Sequence, residues 1–280
     1  MPNRPVVALG VMAAPMHAPE IGRLLREWRS RRHLSQLDLA SNAGVSSRHV
    51  SFVETGRSTP SPEMILTLAR AMEVPLREQN RLLLAAGYAP RYSETAVDGP
   101  EGGAVREAID RILVAHDPYP GLVVDRHFDL VTANEAAMVL VSDVAPELLA
   151  GPINLYRLSL HPDGMGRRTT NFGEWAPHLV RQLLDAARRA SSPTLDELVA
   201  EVRSYPNVAA LDLEPLRFAA PALTLNVEYD APVGHLSMFT TLTTFGSPLD
   251  VTVDELLIEL FYPADDDSAR RLRGERPPSP

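Results

Sequence analysis

The sequence predicts an all-α bundle of short helices followed by an α+β domain built on an antiparallel sheet. Three observations carry that expectation. Residues 19–88 read as five short amphipathic helices with caps and glycines between them. Residues 89–104 are rich in Gly, Pro and small polar residues, and beyond Pro221 the apolar pattern changes to period two. A chain of 280 residues, 45% of them hydrophobic, exceeds what one small core needs, which agrees with two domains.

Composition narrows the classes further. There is no cysteine, which excludes disulfides and thiolate metal sites and points to a reducing cytoplasm. No run approaches the length of a membrane span, so no membrane association is expected. The opening "RPVVALGVMAAPMHA" imitates a secretory signal, but Pro15 breaks its apolar run; residues 1–18 are expected to be a disordered leader, with Met12 and Met16 as alternative starts. All 27 basic residues are arginine, and the net charge is −9. The sign is divided: residues 1–92 carry 12 Arg against 7 Asp plus Glu, and residues 93–280 carry 15 against 29. A basic front and an acidic remainder suit a front part that meets an anion.

Ile21–Arg32 turns Leu24, Leu25 and Trp28 inward. Ser35 with Asp38 three residues on is a capping-box variant that starts a helix over about Gln36–Ala43. Gly44 then supplies the turn, and Val45 drops between two helices while small Ala40 lets them cross closely. Ser46 caps the next helix, which runs to Thr55 and stops at Gly56. At about 100° per residue, Val50 and Val53 share one stripe, so Arg48, Ser51 and Thr55 lie opposite, flanked by Ser47 and Phe52. Ser61, Pro62 and Glu63 open a fourth helix, and "LREQNRLLLAAG" closes a fifth on Gly87.

Two helices crossing after a tight turn form a helix-turn-helix, whose second member enters the DNA major groove, although an ordinary αα-hairpin has the same outline. Against the hairpin stand the missing acid–base pairs on the outward face and the further helices at the expected spacing. The stretch "LSQLDLASNAGVSSRHVSFVETGRSTPSPEMILTLARAMEVP" resembles the Xre/Cro-type helix-turn-helix family in cap, turn glycine, buried valines and terminal E-x-G. The resemblance implies that Ser47 and Arg48, following the Ser46 cap, meet base edges, and that Gln36 touches phosphate and braces the first base-reader. The Arg48 fork suits two acceptors on guanine. Ser51 faces the groove or merely fills space; Phe52 meets a thymine methyl or packs on the first helix. Arg57 and Ser58 are candidate phosphate contacts in a loop that solvation explains nearly as well. Glu54 reads as an intramolecular partner for an arginine. A domain this small reads few base pairs, so a homodimer on an operator of two half-sites is expected.

After the 89–104 linker the second domain spans residues 105–265. A helix over Val105–Ala115 leads into a hairpin of "LVVD" and "DLVTAN", then a helical middle from Glu135 to about Tyr205. "ALTLNVEY" places Leu223, Leu225, Val227 and Tyr229 on one side. "HLSMFTTLTTF" places Leu236, Met238 and Leu242 on one side, with Phe239 and Phe245 on the other; "ELLIELFYP" is a third strand. Residues 266–280 are expected to be a disordered tail. A sheet covered by helices leaves room for a pocket between the layers.

The segments "YPGLVVDRHFDLVTAN", "SLHPDG" and "MFTTLTTFGSPLDVTVDELLIELFYPAD", behind that front, resemble the MmyB-type transcriptional regulators. The resemblance implies a PAS-like ligand-binding fold whose pocket takes a small apolar, fatty-acid-like molecule. Candidate lining residues are Leu225, Leu236, Met238 and Leu242, each of which a closed core also explains. Asn134, His161 and Trp175 are candidates for orienting a ligand, with a structural turn as the plainer role for His161. No G-x-S-x-G, H-E-x-x-H or Walker pattern occurs, so neither enzyme activity nor a cofactor or metal is expected. The rival account is a DNA-anchored protein-interaction module, in which an exposed apolar patch would replace an enclosed cavity.

Overall fold

The structure is a computed structural model that describes residues 18–275 except 98, 191, 214–224 and 247. The predicted leader up to residue 17, Leu223 and residues 276–280 lie outside the described residues. The chain divides into two compact units, 1–93 and 94–280.

Unit one is the five-helix bundle: α1 (Ala18–Arg31), α2 (Gln36–Ala43), α3 (Ser47–Glu54), α4 (Pro62–Ala71) and α5 (Leu76–Ala85). Local chemistry sets each boundary. The Ser35 hydroxyl accepts from the Asp38 amide while the Asp38 carboxylate accepts from the Ser35 amide, a complete capping box. Gly44 ends α2 at φ 66°, a left-handed conformation that a side chain would strain. Ser46 and Ser61 cap α3 and α4 in the same manner as Ser35. Ile21, Leu25, Trp28, Leu39, Val50, Val53, Ile65 and Leu68 fill the core. Gly22 lets α1 lie directly on the end of α3, because a Cβ there would stand 2.6 Å from the Val53 carbonyl oxygen.

Unit two is α+β. Its sheet has the order β2-β1-β5-β4-β3 and is antiparallel throughout, with β1 (Gly121–Val124), β2 (Leu130–Ala133), β3 (Val227–Ala231), β4 (Gly234–Thr243) and β5 (Leu257–Pro263). One face is covered by α6 (Gly103–His116), whose Ile109 and Leu113 pack on Val123, Leu256 and Ile258. The opposite face meets the helical middle: α7 (Met138–Val141), α8 (Pro146–Leu149), α9 (Leu155–Leu160), α10 (Phe172–Ala190), α11 (Pro193–Ser204) and α12 (Pro206–Ala209). Because β1 is buried on both faces, it reads as a continuous apolar run rather than an alternation. The predicted sides of β4 hold: Leu236 and Met238 are in the helix-facing core, whereas Phe239 stacks on Tyr262 and Phe245 packs with the α6 cluster.

The division between the units at 93/94 falls inside the expected linker 89–104, and each side of it is bonded into its own unit. Asn80 on α5 accepts from the amides of Arg91 and Tyr92 and donates to the Tyr92 carbonyl, which ties that stretch to unit one. In unit two, the Thr95 amide donates to Asp250, at the cap of α13 (Val251–Asp254), and a 3₁₀ turn at Pro100–Gly102 runs straight into α6. The expected tail is also folded over its first part. Asp265 caps α14 (Asp266–Leu272), and the buried Ser268 hydroxyl accepts from the Ser237 amide on β4.

Candidate nucleic-acid interface and ligand cavity

The helix-turn-helix is held by a buried carboxylate. Glu54, the last residue of α3, is 5% exposed. It accepts from Arg29 Nε at 2.6 Å, Arg29 Nη2 at 3.0 Å and Gln36 Nε2 at 2.8 Å, and Arg26 Nε lies 3.5 Å away. α1, α2 and α3 are therefore tied at one carboxylate. Burial alone would push the Glu54 carboxyl up; the hydrogen bonds from Arg29 and Gln36 and the charges of Arg29 and Arg26 outweigh it and hold the group below the usual carboxylate range. The expected role of Glu54 as an arginine partner holds. Gln36 donates its amide nitrogen to Glu54, a partner that the spacing alone does not reveal.

The rest of the predicted face is available. Ser47, Arg48 and Arg57 are exposed, and Ser51, Phe52 and Ser58 are half-buried. Ser46 spends its hydroxyl on the His49 amide as the cap of α3, so its contribution is to place the helix start. Around Phe52 the guanidinium carbons of Arg48 and Arg57 stand 5.1 and 5.9 Å from the ring centroid, one from the helix and one from the loop after it. An aromatic platform thus gathers two cations beside the α3 start. Ser58 donates its amide to the Phe52 carbonyl, which folds the loop back under that platform.

Unit two contains a cavity of about 260 Å³ between the sheet and the helical middle. The register explains its floor. Leu122, Glu259 and Leu242 are cross-strand neighbours on β1, β5 and β4, and Thr240 is paired with Phe261 one step along. The roof comes from Trp175, Leu179 and Gln182, spaced by four and three residues on α10, with Tyr156 and Ser159 of α9 beside them. The lining reaches solvent at Met138 and Leu242, 63% and 56% exposed, and at the exposed Ala133 and Thr240. Burial pushes the Glu259 carboxyl up to about 7, against a Thr240 hydrogen bond that favours ionisation. Burial, and then the charge of Glu259, raises the Tyr156 hydroxyl.

Of the predicted ligand residues, Leu242 and Trp175 line this cavity and the others do not. Leu236 and Met238 share the face of Leu242 but are 0% exposed, sealed in the core at the other end of β4. Leu225 precedes β3 and packs at the edge of the same core. Asn134 is a structural hub: its Oδ1 accepts from the Gly121 and Ala137 amides, and its Nδ2 donates to the Tyr119 carbonyl. His161 ends α9, accepts from the Asp163 amide and meets the Tyr205 ring edge-on, the plainer turn role. Sequence reading missed Glu259, although "LLIELFYP" places Leu257, Glu259 and Phe261 on one side of a strand. A glutamate inside that alternation was the available signal.

Ligand atoms of Asp125, His127 and Asp129 lie within 4.8 Å of one another. Their oxygens already serve the β1–β2 turn: Asp125 accepts from the His127 and Asp129 amides, and Asp129 accepts from Asn154.

Comparison with known proteins agrees with this division. Residues 20–82 match the helix-turn-helix domain model, and residues 105–274 match the model of the MmyB-like transcription regulator ligand binding domain. The chain belongs to the MmyB-like transcription regulators. Over 82 residues, 29% of this chain, the MmyB-like regulator is 38% identical to the uncharacterized HTH-type transcriptional regulator RghRB of Bacillus subtilis (strain 168), and the match spans 57% of that relative. Two solved structures are similar to shorter parts. The restriction-modification controller protein C.AhdI of Aeromonas hydrophila is 37% identical over 22% of this chain and 94% of its own, with a TM-score of 0.22. The clp gene regulator ClgR of C. glutamicum is 24% identical over 26% and 92%, with a TM-score of 0.23. No helix among the described residues is long and apolar enough to cross a membrane.

Proposed function

We propose that this MmyB-like regulator docks the polar side of α3 in the major groove of an operator as a homodimer, and that a small apolar ligand with a fatty-acid-like chain in the unit-two cavity changes its operator affinity. Arg48 and Ser47 read base edges, Arg57 and Ser58 meet phosphate, and the Glu54 clamp holds the reader in register. The reaction class is binding without catalysis, in the compartment that holds the DNA.

The observation that carries this reading is the presence in one chain of an exposed Ser47–Arg48 helix start and an apolar-lined cavity large enough for a small molecule. The protein-interaction alternative would draw on a broad exposed apolar surface; the concave, mostly aliphatic lining favours a small molecule. A coupling free energy between sites corresponds to roughly 5–150-fold in affinity. The test selects a duplex from a random pool with the full chain, then measures binding by fluorescence anisotropy with and without saturating medium-chain apolar compounds. A several-fold shift is expected. Unchanged affinity with a compound that demonstrably fills the cavity would remove the coupling.

A further inference from the structure

The cavity is apolar except at a few points, and those points are not neutral in what they select. Among the described lining residues there is no arginine or histidine, and Glu259 is the one carboxylate. It sits mid-strand on the floor, with Leu122 and Leu242 as its cross-strand neighbours, and Tyr156, Ser159 and Gln182 are the polar residues of the roof. An acidic side chain in such a place is costly unless something bonds it. A ligand carboxylate would add a second negative charge to the same apolar chamber with no cation to offset either, an arrangement in which like charges oppose ionisation. A donor does the reverse, because it satisfies the carboxylate oxygens while the rest of the ligand covers the apolar wall.

From this geometry we infer that the cavity selects an amphipathic molecule with a hydrogen-bond-donating head, a hydroxyl or a protonated amine, placed on Glu259, and rejects the chain-matched carboxylate. The inference rests on the reading of the cavity as the ligand site, and it deepens that reading from apolar chain to head group. The body of the ligand lies against Phe128, Trp175 and Leu242, and Thr240 holds the acceptor from below. Burial raises the Glu259 carboxyl, and a cationic or donating head group placed on it would favour the ionised form again.

The experiment uses the full chain and four probes below their aggregation limits: decylamine, decanol, decanoate and the fluorescent apolar probe N-phenyl-1-naphthylamine. Displacement of the fluorescent probe gives a dissociation constant for each of the others near neutral pH. A hydrogen bond to a charged group corresponds to at least about tenfold in affinity, so decylamine and decanol are expected to bind about tenfold or more tightly than decanoate. In Glu259→Gln the preference for the amine should fall to within about threefold. Equal or tighter binding of decanoate to the native chain overturns the head-group inference while leaving the cavity as the ligand site, and it does so whether or not the variant folds. A probe that enters with no head-group preference among the three has the same consequence. Failure of every probe to bind overturns both the inference and the reading on which it rests.

Discussion

Substituting Glu54 by leucine keeps an apolar body of similar size at the end of α3 and removes the carboxylate that α1 and α2 hold. Three donors lose their acceptor: Arg29 Nε, Arg29 Nη2 and Gln36 Nε2. The Arg29 side chain is 14% exposed and keeps only its Nη1 bond to the Leu34 carbonyl, so its charge is left largely without compensation. Gln36 is half-buried and recovers water. Breaking a buried pair by removing one partner costs about 3–5 kcal/mol; partial access to water puts this case near the lower end, about 3 kcal/mol. Removing both partners in Arg29→Leu with Glu54→Leu should return to within about 1 kcal/mol of the native chain, because no charge is then stranded. The assay is urea unfolding followed by Trp28, the buried tryptophan of unit one, in a Trp175→Phe background that silences the other tryptophan. Acid supplies an internal control. Glu54 is held below the usual carboxylate range in the folded chain, so its stabilisation is present above about pH 4.5, its ordinary value, and is lost as pH falls through the folded value. The gap between native and Glu54→Leu should close in that window. A cost under about 1 kcal/mol for the single variant, or a double variant no better than the single, would refute the clamp.

Further outcomes follow from the same reasoning. Gly22→Ala should destabilise unit one by about 1–3 kcal/mol in the same urea assay, despite alanine's better helix propensity, because the added Cβ meets the Val53 and Glu54 carbonyl oxygens at 2.6 and 2.8 Å. Glu259 gives the opposite pH sign to Glu54. Its carboxyl is raised from 4.5 to about 7, so the folded state holds a proton that the unfolded state has released, and unit two loses stability as pH rises across that window. Glu259→Gln should therefore raise the thermal midpoint near pH 8 and change it little near pH 5, by an amount that corresponds to at most about 3 kcal/mol; equal effects at both pH values would contradict the raised carboxyl.

What was legible in the sequence was local. Ser35 with Asp38, Gly44, Ser46, Val50 with Val53, and Gly56 each act within one turn of their own position, so the helix-turn-helix was readable with its boundaries. The late strands were readable because period two holds on both faces of β4. The cavity was not, because its floor depends on the register that brings Leu122 of β1, Glu259 of β5 and Leu242 of β4 side by side across more than a hundred residues of chain. Alternation placed Leu236, Met238 and Leu242 on one face correctly but carried no information on where along β4 the helices close over. The same blindness to tertiary partners made "ADDDSARR" read as tail: Ser268 becomes a buried acceptor only once the Ser237 amide is beside it.

The central claim is that the exposed start of α3 reads bases, and Arg48→Ala tests it most directly. Anisotropy titrations of the native chain and the variant would be run on the selected operator and on a random duplex at one fixed salt concentration. A loss of about 1–3 kcal/mol is expected on the operator and a much smaller loss on the random duplex. Equal losses on the two duplexes, or none on either, would contradict it.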